Sequence, residues 1–158
     1  PMAGWKVLTD FLNPGGLMRI GLYSELARRD IVQIRDEIEQ SNINLSDDVM
    51  KTFRKKLFSS EKDHHKTILS YDDFYSLSTL RDLLFHVQEH RFTIPQIKDY
   101  LDQLGLIFCG FEEKKLTHMF KSKGLAENDV YDLEKWDEFE KENPHAFAGM
   151  YQFWCQNI

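Results

Sequence analysis

The stretch TIPQIKDYLDQLGLIFCGF, residues 93–111, decides the fold class. Thr93 and Gln96 have the spacing of a capping box, and Pro95 falls in the first turn, where a missing N–H breaks no helical hydrogen bond. Ile94, Ile97, Leu101 and Leu104 recur at helical spacing and make one apolar stripe. Gly105 follows as a natural helix terminator, since glycine enters the left-handed region without penalty. Residues 106–111 come directly after it and read as a buried strand. A helix delivered through one glycine into a strand is an α/β signature.

Working outward from this stretch, residues 150–156 (MYQFWCQ) are aromatic-rich and read as a final strand. Helices are expected around 112–123 and 131–142, the second carrying Leu133, Trp136 and Phe139 and stopped by Asn143-Pro144. On the N-terminal side, residues 3–12 read as a helix with Trp5, Leu8 and Leu12 on one face and Phe11 beside them. Residues 13–16 (NPGG) are a turn, and residues 17–23 (LMRIGLY) a short buried strand. Ser24 is placed to cap a helix running to about Gln40, with Ala27, Ile31, Ile34 and Ile38 inward. Residues 41–44 read as a linker. Ser46 caps a helix bearing Met50, Phe53 and Leu57, and Leu80, Leu83, Leu84 and Val87 mark another. Residues 59–70 are polar and give no clear reading.

The chain has 158 residues, a net charge of −6 and 13% aromatic residues, which suits a globular domain with a sizeable core. The acidic balance argues against nucleic acid as a partner, and Arg54-Lys55-Lys56 reads as a solvated helix face. Cys109 and Cys155 lie in apolar runs, as buried reduced thiols do. The first residues, PMAGW, lack a secretory pattern, and no apolar run approaches the ~20 residues that span a bilayer. The expectation is a cytoplasmic protein with no membrane partner, and a start at Pro1 rather than Met points to residues upstream.

The order of these elements resembles the last third of a class I S-adenosylmethionine-dependent methyltransferase, where a PGG turn (residues 14–16) precedes the fifth strand of a Rossmann-like sheet. The stretches GLYSE (21–25), RDLLFHVQEHRFT (81–93) and FAGMYQFWCQ (147–156) are similar to those of a bacterial branch of this family, whose members often carry tetratricopeptide repeats ahead of the methyltransferase domain. The resemblance covers nearly the whole chain. It implies an α/β fold, mostly helical by content: the C-terminal portion of the sheet, three strands in fifth-seventh-sixth order. Residues 1–23 and 93–158 would close the sheet and residues 24–92 would be a helical insertion, all within one domain fragment, 1–158.

The chain departs from the family in having no G-x-G-x-x-G pattern and no acidic residue after a second strand. Gly15-Gly16 precedes a strand instead of joining one to a helix N-terminus. S-adenosylmethionine is therefore the cofactor implied for an intact parent, and neither cofactor affinity nor catalysis is expected of this chain alone. The implied partners are the N-terminal remainder of the parent and a methyl acceptor of unknown class.

In an open α/β sheet, ligands sit beyond the carboxyl ends of the strands. Tyr23, Ser24 and Glu25 lie just past such an end and are candidates for the active-site rim; core packing for Tyr23 and capping for Ser24 are the plainer alternatives. The insertion is long enough to act as a substrate lid, with Phe74, Tyr75, Arg81, His86, Glu89, His90 and Arg91 as its candidate substrate contacts. His86 and His90 have one-turn spacing, but paired histidines on a helix are more often structural or solvated; no metal is assigned to them, nor to His64-His65. No catalytic residue is assigned. The alternative to a methyltransferase fragment is a non-catalytic helical protein-interaction module. An isolated fragment would leave the outer edge of its first strand unpaired, so self-association is expected.

Overall fold

In the computed structural model, the strand β4 (Met150–Asn157) pairs antiparallel with β1 (Leu17–Ser24) on one side and with β3 (Leu106–Phe111) on the other. The structure describes residues 2–41, 46–85, 89–124 and 126–158. Tyr151, Phe153 and Cys155 of β4 are buried while Gln152 and Trp154 are exposed, the alternation of a strand with one face on the core. Among the described residues the sheet has four strands where three were expected. β2 (Arg91–Phe92) lies parallel to β1, giving the order β2-β1-β4-β3. Two residues are too few to display a strand's period, which is why sequence patterning missed it.

The chain divides into two compact units, residues 1–27 with 90–158, and residues 28–89. The first contains the sheet. On one of its faces pack α1 (Met2–Asp10), α6 (Ile94–Leu104), α7 (Lys114–Lys121) and α8 (Leu133–Glu142), through Trp5, Ile97, Leu101, Phe120 and Trp136 among others. The capping box at Thr93 forms, and Gly105 takes φ 67°, so that α6 ends and β3 begins within one residue. The opposite sheet face exposes Leu17, Ile107 and Trp154. α1 corrects one expectation: Leu8 and Phe11 are exposed, because the helix meets the core through Trp5 and Thr9, one turn apart.

The second unit is helical: α2 (Arg29–Gln40), α3 (Asp47–Phe58), α4 (Asp63–Ile68), a 3-10 turn at Asp72–Phe74 and α5 (Leu77–Phe85). Its core joins Ile31, Ile34 and Ile38 to Phe53, Leu57, Ile68, Phe74, Leu80, Leu83 and Leu84. Ser24, expected to cap α2, does not do so. It ends β1, and Arg28 occupies the N-cap position without a side-chain cap. Ser46 does cap α3. Val87 and residues 42–44 of the expected linker lie outside the described residues. Among the described residues, no helix is long and apolar enough to cross a membrane.

Candidate functional site

β1 and β2 run in the same direction and end side by side, with Tyr23 opposite Arg91 and Ser24 opposite Phe92. Just past that end the Glu25 backbone N–H donates to the Phe92 carbonyl at 2.8 Å, and Arg91 Nε donates to the Glu25 carboxylate at 3.1 Å. Strand alternation separates the three rim candidates. Tyr23 and Glu25 reach solvent, whereas Ser24 points inward and is fully buried.

Beneath the rim, Ser24 Oγ accepts from the Ala27 N–H at 3.0 Å and donates to Glu140 Oε1 at 2.6 Å. Tyr151 Oη donates to the same carboxyl at 2.7 and 2.8 Å. Burial pushes the Glu140 carboxyl above its ordinary range, and the hydrogen bonds from Ser24 and Tyr151 oppose that rise only in part. Burial likewise raises the Tyr151 phenol, and the adjacent Glu140 adds to it. Ser24, Glu140 and Tyr151 thus tie β1, α8 and β4 together as a closed floor. Ser24 is part of this floor and not of the rim. The sequence reading missed Glu140 and Tyr151. The available signal was position: Glu140 follows Trp136 by one helical turn and falls on the apolar face of α8.

The structure disperses the remaining candidates. Phe74 is fully buried in the helical core, and its neighbour Tyr75 is exposed, its hydroxyl donating to the Leu69 carbonyl at 2.9 Å. Arg81 pairs with Asp47 at the surface. Glu89 is buried between two guanidinium groups, bidentate from Arg28 at 2.7 and 2.8 Å and single from Arg35 at 2.9 Å. His90 is exposed and lies outside any helix, so the one-turn geometry behind a His86–His90 pair is not met; His86 itself lies outside the described residues.

The helical unit also gathers Glu37, His64 and His65, whose ligand atoms all lie within 4.8 Å of one another. Burial works to raise the Glu37 carboxyl, but hydrogen bonds from Lys62, His64 and His65 outweigh it and bring it down to about 2. Burial pushes the His65 imidazole down, against the opposing pull of Glu37. Neighbouring histidines gave no indication in sequence of which acid would meet them.

No family model matches this chain. The uncharacterized protein syc1184_c of Synechococcus sp. (strain ATCC 27144 / PCC 6301 / SAUG 1402/1) is 23% identical over 149 residues, covering 88% of this chain and 36% of that protein. Two structures of PKMT2 from Rickettsia typhi, one in complex with AdoHcy, superpose with TM-scores of 0.63 and 0.62 at 15% sequence identity. They match 99% of this chain, which spans 33% of the PKMT2 chain. The chain therefore shares its fold with part of PKMT2, and it spans about one third of the length of the proteins it matches.

Proposed function

We propose that this chain is the C-terminal, substrate-side part of an S-adenosylmethionine-dependent methyltransferase. The observation that carries the reading is the match of almost the whole chain to one third of PKMT2 from Rickettsia typhi, a protein that binds AdoHcy. The residues present do not fit the cofactor. Gly15 and Gly16 lead into β1 rather than into a helix N-terminus, and a Cβ at Gly16 would lie 2.8 Å from the Asn13 carbonyl. Gly16 thus serves a tight turn. Cofactor binding belongs, in this reading, to a preceding segment of the same protein, and no step through the cofactor is assigned to this chain.

What these residues supply is acceptor positioning. Methyl transfer needs an in-line nucleophile, and holding it there accounts for much of the rate. Tyr23, Glu25 and Arg91 stand at the carboxyl ends of two parallel strands, where α/β sheets bind ligands. They orient the acceptor, above the closed floor of Ser24, Glu140 and Tyr151. The chain leaves the sheet unit after Ala27 and re-enters it at His90, and selection of the acceptor is the role of the helical unit in this reading. Leu17, Ile107 and Trp154 on the open sheet face, and the β1 edge at residues 17–22, receive the rest of the parent; in the isolated chain they drive self-association.

Calorimetry with AdoHcy on the protein at its full gene length, and on residues 1–158 alone, tests this. The longer protein is expected to bind one equivalent and this chain none. Arg91→Ala and Tyr23→Phe in the longer protein are expected to lower kcat/KM for methyl transfer while leaving AdoHcy affinity unchanged. A full-length protein that does not bind AdoHcy would overturn the reading in favour of an interaction module. A monomer in sedimentation of the isolated chain would remove the self-association.

A further inference from the structure

Glu37 lies on α2, three residues after Ile34 and beside Ile38, at the border of the buried stripe. His64 and His65 lie on α4, about one turn before the buried Ile68. His64 Nε2 is 2.9 Å from Glu37 Oε1, and His65 Nε2 is 2.9 Å from Glu37 Oε2. Both imidazoles therefore aim the same ring atom at one carboxylate. The far nitrogen of His65, Nδ1, is 2.7 Å from Ser60 Oγ. His65 is almost completely buried, and the His64 side chain is 12% exposed.

We propose that Glu37, His64 and His65 form a binding site for a divalent transition-metal ion, zinc fitting best, with Ser60 orienting His65. Two imidazoles and one carboxylate are a donor set for a borderline ion, and three protein ligands leave one tetrahedral position for water. Tetrahedral zinc with bonds of about 2.0–2.2 Å places its donors roughly 3.5 Å apart. The two imidazole–carboxylate contacts, at 2.9 Å, need to open by about half an ångström and the more distant donors, within 4.8 Å, to close by about 1 Å, shifts within reach of side-chain rotation. Ligation needs both Nε2 lone pairs, hence a proton on each Nδ1. Ser60 Oγ stands ready to accept that of His65, the hydrogen bond that fixes the tautomer of metal-bound histidines.

Lys62 decides how the site is read. Its ammonium lies 2.7 Å from Glu37 Oε1 and is 58% exposed, so it supplies positive charge to the metal-free carboxylate and is free to swing away. An arrangement built only for hydrogen bonding would need Lys62, whereas a metal site competes with it.

Zinc titration of the chelator-stripped full chain by calorimetry, and cobalt titration followed by visible absorption, separate the two. One equivalent of zinc is expected to bind at micromolar concentration or tighter, with the absorption of tetrahedral cobalt. Glu37→Gln and His64→Ala weaken binding by at least about 100-fold, and Ser60→Ala by roughly 10–100-fold. Lys62→Met, in which the competing charge is gone, binds zinc more tightly than the parent, an outcome that misfolding cannot imitate. No stoichiometric binding, binding unaltered in Glu37→Gln and His64→Ala, or weaker binding in Lys62→Met would each overturn the proposal.

Discussion

Glu140 in the sheet unit and Glu37 in the helical unit both project from helices, yet their carboxyl groups are pushed in opposite directions. Glu140 is buried and meets two neutral hydroxyls, from Ser24 and Tyr151, and burial raises it. Glu37 feels burial in the same sense, but an ammonium and two imidazoles surround it and bring it down to about 2. Glu89 of the helical unit also meets charged donors, the guanidinium groups of Arg28 and Arg35 holding its buried carboxylate. The sheet unit thus accommodates its acid by hydroxyl donors and a large aromatic core, in which Phe120 stacks on Trp136 at 3.8 Å. The helical unit uses compensating charge around a core that is mostly aliphatic, with Phe53 and Phe74 among its buried residues. What the donors are, and not burial alone, sets the behaviour of a buried acid.

The sharpest way to break this contrast is Glu89→Ala. It leaves two largely buried guanidinium groups without their carboxylate and is expected to cost about 3–5 kcal/mol in denaturant unfolding. A loss under 1 kcal/mol would mean that charge compensation does not hold the helical unit together. Tyr151→Phe takes one hydroxyl donor from Glu140 while keeping the ring, and about 1–3 kcal/mol should go with it.

Glu140→Gln sharpens the comparison through pH. A carboxyl raised on folding contributes stability that is present below its unfolded value and is lost as pH rises through the folded one. Glu140→Gln should therefore gain on the parent as pH increases from 5 to 8, when melting temperatures are compared across that range. A constant difference would remove the raised carboxyl from the account. Gly105→Ala meets no atom within 4 Å but must hold φ 67°, so about 1–2 kcal/mol is expected from backbone strain alone, seen in thermal unfolding. Arg81→Ala removes an exposed pair with Asp47 and should change stability by about 0–1 kcal/mol. A larger loss would give the surface of the helical unit a weight that its buried ions do not leave for it.

Much of the fold was legible before any coordinates. The capping box at Thr93, the glycine stop at Gly105 and strand β3 were each written in a run of contiguous residues, and all three appear as read. β2 was not legible, since two residues carry no period and it exists only because Arg91 and Phe92 meet the end of β1. The exposed Leu8 and Phe11 show the same limit: the stripe on α1 was visible, but which side of it met the sheet was not.

Tyr23 and Glu25 came from strand-end logic and Arg91 from the expected insertion, and the structure brings the three together at the ends of β1 and β2. Ser24 was noticed for capping, but its main partner, Glu140, lies 116 residues away. The partners of Glu89 and of His64 and His65 were equally out of reach, separated from them by whole helices.

The sequence by itself determined the helix caps at Ser46 and Thr93, the stop at Gly105, the three longer strands and that the chain is α/β, because caps, turns and periodicity act over a few neighbouring residues. Tertiary structure alone decided the fourth strand, the buried floor and the convergence of Glu37 with two histidines. Those depend on pairs far apart in the chain, and no local free-energy preference records which distant donor a buried acid will meet.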